Sequence, residues 1–342
     1  MKKNRRTEKR SGRILKRVLL ALVALVAVYV ALCLFPGQLF YPAFYRSASF
    51  GPAFADRAEG FVPQGVTKTA SGETLVCGYM NGKGASRLYV YAPDGRQKTI
   101  LLRTETGEDY TGHAGGVTAA GDWIYISNAH KLFVLPLSDV LAAPDGGTLA
   151  FCGHVDVPVN ASYCSSTDGM LYVGEYHDVG YETDERHRTE TGTGVYQALT
   201  LGYRLDQNGA FGLAEPALPV IAYATPDAAQ GFAVLPEGRV AVSCSHGFRT
   251  SHLFVYDGGD PEGSIDLSEE LDRAVPGEGT LPLVLLDGAR LRLDLEMPRM
   301  SEDLDLRDGK LLICFEAGAK KFGAGLLPLS VRRIAVIEAD TL

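Results

Sequence analysis

Five times along the chain a turn glycine leads into a short apolar strand: SGETLVCG (71–78), AGDWIYIS (120–127), DGMLYVGE (168–175), EGRVAVSC (237–244) and DGKLLICF (308–315). The glycines are Gly72, Gly121, Gly169, Gly238 and Gly309. Ahead of each stands a second short segment that opens on a polar or glycine pair, as in QGVTKTASG, GGVTAAG, QGFAVLPEG and EDLDLRDG, with SYCSSTDG the weakest copy. Behind each comes a third strand: SRLYVYAPDG (86–95) and SHLFVYDGGD (251–260) match almost position for position, and KLFVLPL, ALTLGYRLD and VRRIAVIEAD fill the same slot. Runs such as KTILLR (98–103) and TLAFCGHV (148–155) supply a fourth.

Four short antiparallel strands repeated at a period near 50 residues specify a β-propeller, because one such module cannot bury both its faces and a ring of them can. The fold class expected is therefore all-β, a propeller of four-stranded blades. Five blades are expected, or six if one of the two longer intervals hides a degenerate unit. Within the last of these intervals, 281–295 reads as a hairpin turning at Asp287–Gly288, and 264–275 as a short helix.

PQGV, GHAGGV and MSEDLDLRDGKLLICFE, together with the third-strand pattern, resemble the extracytoplasmic TolB-like, gluconolactonase-like propeller superfamily over residues 58–340. The resemblance implies the fold. It implies little about activity, since that group holds lactonases, esterases, lectin-like binders and scaffolds.

The N-terminus reads differently. Residues 1–17 carry nine Lys/Arg and one Glu, whereas the whole chain has a formal charge of −8. An acidic body of this kind excludes nucleic acid as the natural partner. Residues 18–35 contain no charge, and about 27 Å of helix would approach the span of a bilayer core. This predicts a basic cytoplasmic tail (1–17), a transmembrane signal-anchor helix (18–36) and an interfacial segment and linker (37–57), with the propeller over 58–342. Phe40, Tyr41, Phe44 and Tyr45 would sit at the outer interface. The expected location is the cell membrane, single-pass, with the N-terminus cytoplasmic and the propeller extracytoplasmic, the membrane itself being a partner. A cleaved signal would have a shorter apolar run and a nearby small-residue site. Residues 46–60 are a linker or an edge strand that closes the body.

Of six cysteines, Cys77, Cys244 and Cys314 fall at equivalent points of the second strand and read as small buried apolar residues. Cys152 and Cys164 are near enough in sequence to pair in an oxidising compartment.

Antiparallel order places the start of strand one and the end of strand two on one face. The strand-one entries are Gln64, Gly115 with nearby His113, Ser162, Gln230 and Glu302. Loops 80–85, 128–130, 176–197, 245–250 and 316–329 join them. Gln64, Gln230, Arg249 and Glu302 are the candidate ligand-binding residues. Glu302, His113 and His246 are the candidate acid–base groups, since a carboxyl and an imidazole on one face suit proton transfer. Glu302 and Asp303 are the weak candidates for a metal site holding Ca2+, which takes 6–8 oxygens. The 176–197 loop is either functional or a surface flap. No GxSxG elbow, Walker loop or HExxH is present. The sequence thus predicts a membrane-anchored propeller that binds a glycan, small molecule or protein partner at the loop face. The alternative is a propeller hydrolase or lactonase, metal-assisted or not, using Glu302 with His113 or His246.

Overall fold

The computed structural model describes residues 16–30, 36–167, 169–271, 279–322 and 329–342. Most inner and middle strands are buried nearly end to end, so each sheet has two faces to cover, and the sheets satisfy this by packing face to face around a common axis. The fold is a five-bladed β-propeller.

Blade one is built from Phe61–Lys68, Thr74–Met80, Arg87–Tyr91 and Gln97–Arg103, running outward from the axis. Blade two is Gly116–Ala120, Trp123–Asn128, Lys131–Pro136 and Gly153–Asp156. Blade three begins with Ala161–Thr167, Met170–Glu175, Ala198–Arg204 and Pro219–Thr225, and blade four is Ala229–Val234, Val240–Cys244, Ser251–Tyr256 and Leu291–Met297. Blade five is Ser301–Arg307, Lys310–Phe315 and Arg333–Glu338, completed on the outside by the N-terminal strand Ala48–Ala53. The ring is therefore closed by strands from opposite ends of the chain.

The two long intervals hold no sixth blade. The first contains the 176–197 loop, which carries its own small hairpin of Thr189–Thr191 and Gly194–Tyr196. The second sends Thr280–Leu285 parallel onto the outer edge of blade three, with Gly263–Asp266 beyond it. The expected 281–295 hairpin is thereby corrected: its first run extends blade three and its second is the outer strand of blade four. The short helix expected over 264–275 is corrected as well, since 263–266 is strand; residues 272–278 lie outside the described residues. The run 148–155 divides likewise, Gly147–Ala150 joining blade one and Gly153–Asp156 blade two.

The membrane span is also corrected. Helical residues cover 16–30, about 22 Å at 1.5 Å per residue, and among the described residues no helix is long and apolar enough to cross a membrane. Residues 31–35 of the expected span lie outside the described residues. Two short helices follow, Pro36–Phe40 and Pro42–Ser47. Proline at the start of each is compatible with a new first turn, not with one continuous helix. Phe44 does not sit in an interface belt: it is 0% exposed, with its ring 5.8 Å from Phe315 of blade five. The membrane partner, the cytoplasmic N-terminus and the single-pass extracytoplasmic placement rested on that span and fall with it.

Cys77, Cys244 and Cys314 are buried, as expected. Cys152 and Cys164 are both free, Cys152 exposed and Cys164 buried on an inner strand; Cys33 lies outside the described residues.

At the axis the inner strands approach backbone to backbone. A Cβ on Gly65 would lie 2.5 Å from Val117 N, one on Gly116 2.5 Å from Cys164 N, and one on Gly231 2.6 Å from Leu304 N. Glycine is required at these points for space. Four of the five inner strands also shift register at their entry, between Pro63 and Gly65, Ala161 and Tyr163, Ala229 and Gly231, and Ser301 and Leu304. Such a bulge leaves one residue unpaired and re-aims its side chain. The residues on the bulges are Gln64, Ser162, Gln230 and Glu302.

Candidate functional site

Glu302 sits on the bulge of blade five, 4% exposed. Its antiparallel partner strand ends at Phe315, so the next residue, Glu316, arrives beside it; the Glu316 N–H bonds Met300 O at 3.0 Å. The two carboxyls are hydrogen-bonded to each other. Gln64, on the bulge of blade one, donates its Nε2–H to Glu316 Oε2 at 3.0 Å. Burial, and then the neighbouring Glu316 charge, raise the Glu302 pKa well above the ordinary carboxyl value. Burial pushes Glu316 up to about 7, against the lowering influence of Gln64 and Lys321. Two carboxyls this close cannot both ionise cheaply. Glu302 keeps the proton and donates it in a hydrogen bond, and the Glu316 carboxylate accepts from both Glu302 and Gln64.

Aromatic rings wall the pair. Tyr79, at the end of blade one's second strand, stacks on His113 with ring centroids 4.5 Å apart and planes 29° from parallel. Lys321 donates to the Tyr79 hydroxyl at 2.5 Å and its ammonium lies 5.0 Å over the ring. The backbone N–H of His113 donates to Asn128 Oδ1 at 2.8 Å. Crowding of the imidazole and the Lys321 charge lower its pKa, so it is neutral at pH 7. On the opposite side Tyr176 donates to Asp178 Oδ2 at 3.0 Å, and Asp178 pairs with His246, which ties blade three to blade four. Burial raises the pKa values of Tyr79 and Tyr176, and the Glu302 and Glu316 charges raise them further. These groups share one electrostatic environment.

The structure thus brings Glu302, Gln64 and His113 to one mouth, with His246 on its rim. Gln230 is half-buried on the bulge of blade four and Arg249 is exposed on the following loop; neither is held to the carboxyl pair. Asp303 diverges from Glu302: it points into the ring, where its Oδ2 accepts the Val117 N–H at 3.1 Å. Among the described residues no group of three or more His, Cys, Asp or Glu is placed to hold a metal ion, so Glu302 and Asp303 do not converge on the calcium site expected of them. Sequence reading placed Tyr79 on the loop face, counted Asp178 among the carboxylates that could help hold a metal and named Glu316 only as a charge for nearby cations to balance; it did not pair Glu316 with Glu302, and it did not single out Tyr176. The signal for Glu316 was available, as it is the strand-two end opposite the Glu302 entry.

The 176–197 loop is clasped to the body. His187 and Glu175, both buried, pair at 2.6 Å, and Glu175 Oε1 also accepts the Leu199 N–H at 3.1 Å. The loop tip leaves Val179 and Tyr181 exposed at the mouth.

Below the mouth the axis is plugged. Asp305, buried, accepts from Thr67 and from Thr118 Oγ1 (3.1 Å) and pairs with Arg307 at 2.9 Å. Arg307 reaches across the ring to Ser166 O at 2.6 Å and Ala119 O at 2.9 Å. These contacts tie the inner strands of blades one, two, three and five together at the axis.

No family model matches the chain, and no curated protein matches it. Solved structures align with it only at low identity and low TM-score. The PQQ-bound form of an aldose sugar dehydrogenase from Streptomyces coelicolor aligns at TM-score 0.45 and 14% identity, over 85% of this chain and 98% of that one. A Thermus thermophilus protein described as an oxidoreductase (glucose dehydrogenase) aligns at TM-score 0.42 and 11% identity, over 85% and 99%. A Bacteroides thetaiotaomicron protein of unknown function aligns at TM-score 0.36 and 12% identity, over 81% and 69%.

Proposed function

We propose that the loop-face mouth binds a small polyhydroxylated molecule, a sugar or sugar-derived ring. The observation that carries this reading is the Glu302–Glu316 carboxyl pair beside the stacked rings of Tyr79 and His113. The Glu302 proton and both Gln64 N–H groups are committed to Glu316 and Pro63, so the pair presents its remaining carboxyl oxygens as acceptors for the hydroxyl donors of a sugar. The rings of Tyr79, His113, Tyr176 and Tyr181 supply apolar surface for the C–H faces of a ring. Kinship with the TolB-like, gluconolactonase-like propellers belongs to the same reading and is supported by the strand grammar alone.

Calorimetric titration of the full chain with a panel of neutral monosaccharides, aldonic acids and aldonolactones tests it. Binding of one class should weaken at least about tenfold in Glu316→Gln, the loss of one charge-assisted hydrogen bond. A panel without a binder, or a binder indifferent to Glu302→Gln and Glu316→Gln, overturns the reading.

A second reading, acid–base hydrolysis of a lactone or ester at the same pair, is favoured by one observation: Glu316 is pushed up to about 7, where a carboxyl can exchange protons at neutral pH. Here the Glu316 carboxylate would accept the proton of an attacking water and protonated Glu302 would stand as the acid, with His113 or His246 beside them. Turnover with a bell-shaped pH profile that Glu316→Gln abolishes is the expected result. Lactones bound without turnover would reject this reading and leave the first standing.

A further inference from the structure

A second site lies on the opposite face, at the seam where the ring closes. Lys310, Leu312, Val336 and Ile334 share one face of blade five, because Leu312 pairs with Val336 and Lys310 with Glu338 across the strands. That face does not meet blade one tightly. Between them is a cavity of about 270 Å3, bounded on the blade-one side by Lys68 and Thr74 and at the axis by Arg307. Its lining holds three cationic side chains and no carboxylate, beside apolar surface from Phe50, Leu312 and Val336.

The cations are not equivalent. Arg307 is fixed, its guanidinium nitrogens bonded to Ser166, Thr118 and Ala119 around the axis. Lys68 and Lys310 are held only by surface ion pairs. Lys68 pairs with Asp308 at 2.7 Å and Lys310 with Glu338 at 3.1 Å, but those carboxylates are 71% and 55% exposed. Pairs of that kind contribute ~0–1 kcal/mol, so a carboxylate entering the cavity can replace them at little cost. We propose that this closure cleft binds a monoanionic amphiphile, a carboxylate with a short apolar stem. Lys68 and Lys310 hold the head group, and the stem lies on Phe50, Leu312 and Val336. The occupant bridges blade five to blade one and so reinforces the seam that the N-terminal strand closes.

Methyl-detected NMR of the full chain, labelled at Ile, Leu and Val, tests this with sodium octanoate, 1-octanol and acetate. Octanoate should shift the Leu312, Ile334 and Val336 methyls saturably. Octanol, lacking the charge, and acetate, lacking the stem, should each bind at least about tenfold more weakly. The double substitution Lys68→Met, Lys310→Met should weaken octanoate by a similar factor. Gly51→Leu should abolish it by filling the cleft, since a Cβ there makes only ordinary contact, 3.6 Å from Ile334. Unchanged Val242 methyls in blade four verify that each variant is folded. Absence of shifts at those three methyls overturns the proposal, as does equal binding of octanol and octanoate, a comparison that needs no variant.

Discussion

Glu302 and Glu316 each hold their protons more tightly in the folded chain than in the unfolded one, because burial disfavours their charge. A carboxyl with a raised folded pKa adds stability that is fully present below its unfolded value of about 4.5 and is lost as pH rises through the folded value, about 7 for Glu316. Urea unfolding should therefore give a lower midpoint at pH 8 than at pH 5, with a slope of up to about 1.4 kcal/mol per pH unit for each proton released. Glu316→Gln should flatten this dependence by removing one member of the pair. An identical pH dependence in wild type and variant would mean that the pair does not titrate as described. Glu302 was legible as the one carboxylate at a strand entry. The strand order also placed Glu316 near it, but which strand-two residue meets Glu302 depends on the register, which the bulge at Ser301–Leu304 changes.

Among the elements, the inner strands set the geometry of the site, and their glycines are steric. The QG, GG and QG pairs of blades one, two and four read from sequence only as the polar or glycine pair that opens a short strand; in the ring they allow neighbouring backbones to touch. Gly116→Ala and Gly231→Ala should each destabilise by about 1–3 kcal/mol through overpacking. Gly194→Ala, in the small hairpin with nothing within 4 Å of an added Cβ, should stay within about 0.5 kcal/mol. Denaturant midpoints of the three variants decide this; equal effects would remove the close-approach explanation. The clasped 176–197 loop is a second case. Local composition presented a polar excursion with two histidines, and only the fold shows His187 buried against Glu175. His187→Ala leaves a buried carboxylate unpaired and should cost about 3–5 kcal/mol. Limited proteolysis should then cut within 176–197, and a loop that resists cleavage as wild type does would show that the clasp does not hold it.

For the whole molecule, the blade repeat was legible because each copy solves the same burial problem with the same strand order. Which blade owns a given outer strand was not. The 281–295 run carries a good local turn, yet its halves bury their apolar faces against different blades. The N-terminal aromatic segment was misread for a related reason: Phe44 looks the same in sequence whether it faces lipid or the core of blade five. Phe44→Ala should cost about 3–5 kcal/mol of propeller stability, the usual loss for a buried phenylalanine. Phe40→Ala, 57% exposed, should change stability by less than about 0.5 kcal/mol. Thermal unfolding of both variants checks this, and equal effects would detach the segment from the propeller core.

The account turns on a pair of carboxyls that share a proton at the loop face of the ring. Carboxyl-detected NMR titration of the chain labelled at glutamate, with and without the best-binding sugar or lactone, measures this most directly. Two coupled titrations well above 4.5 should appear, collapse to one in Glu316→Gln and shift when ligand is added. Glu302 and Glu316 titrating independently near 4.5, unmoved by any ligand, would contradict it.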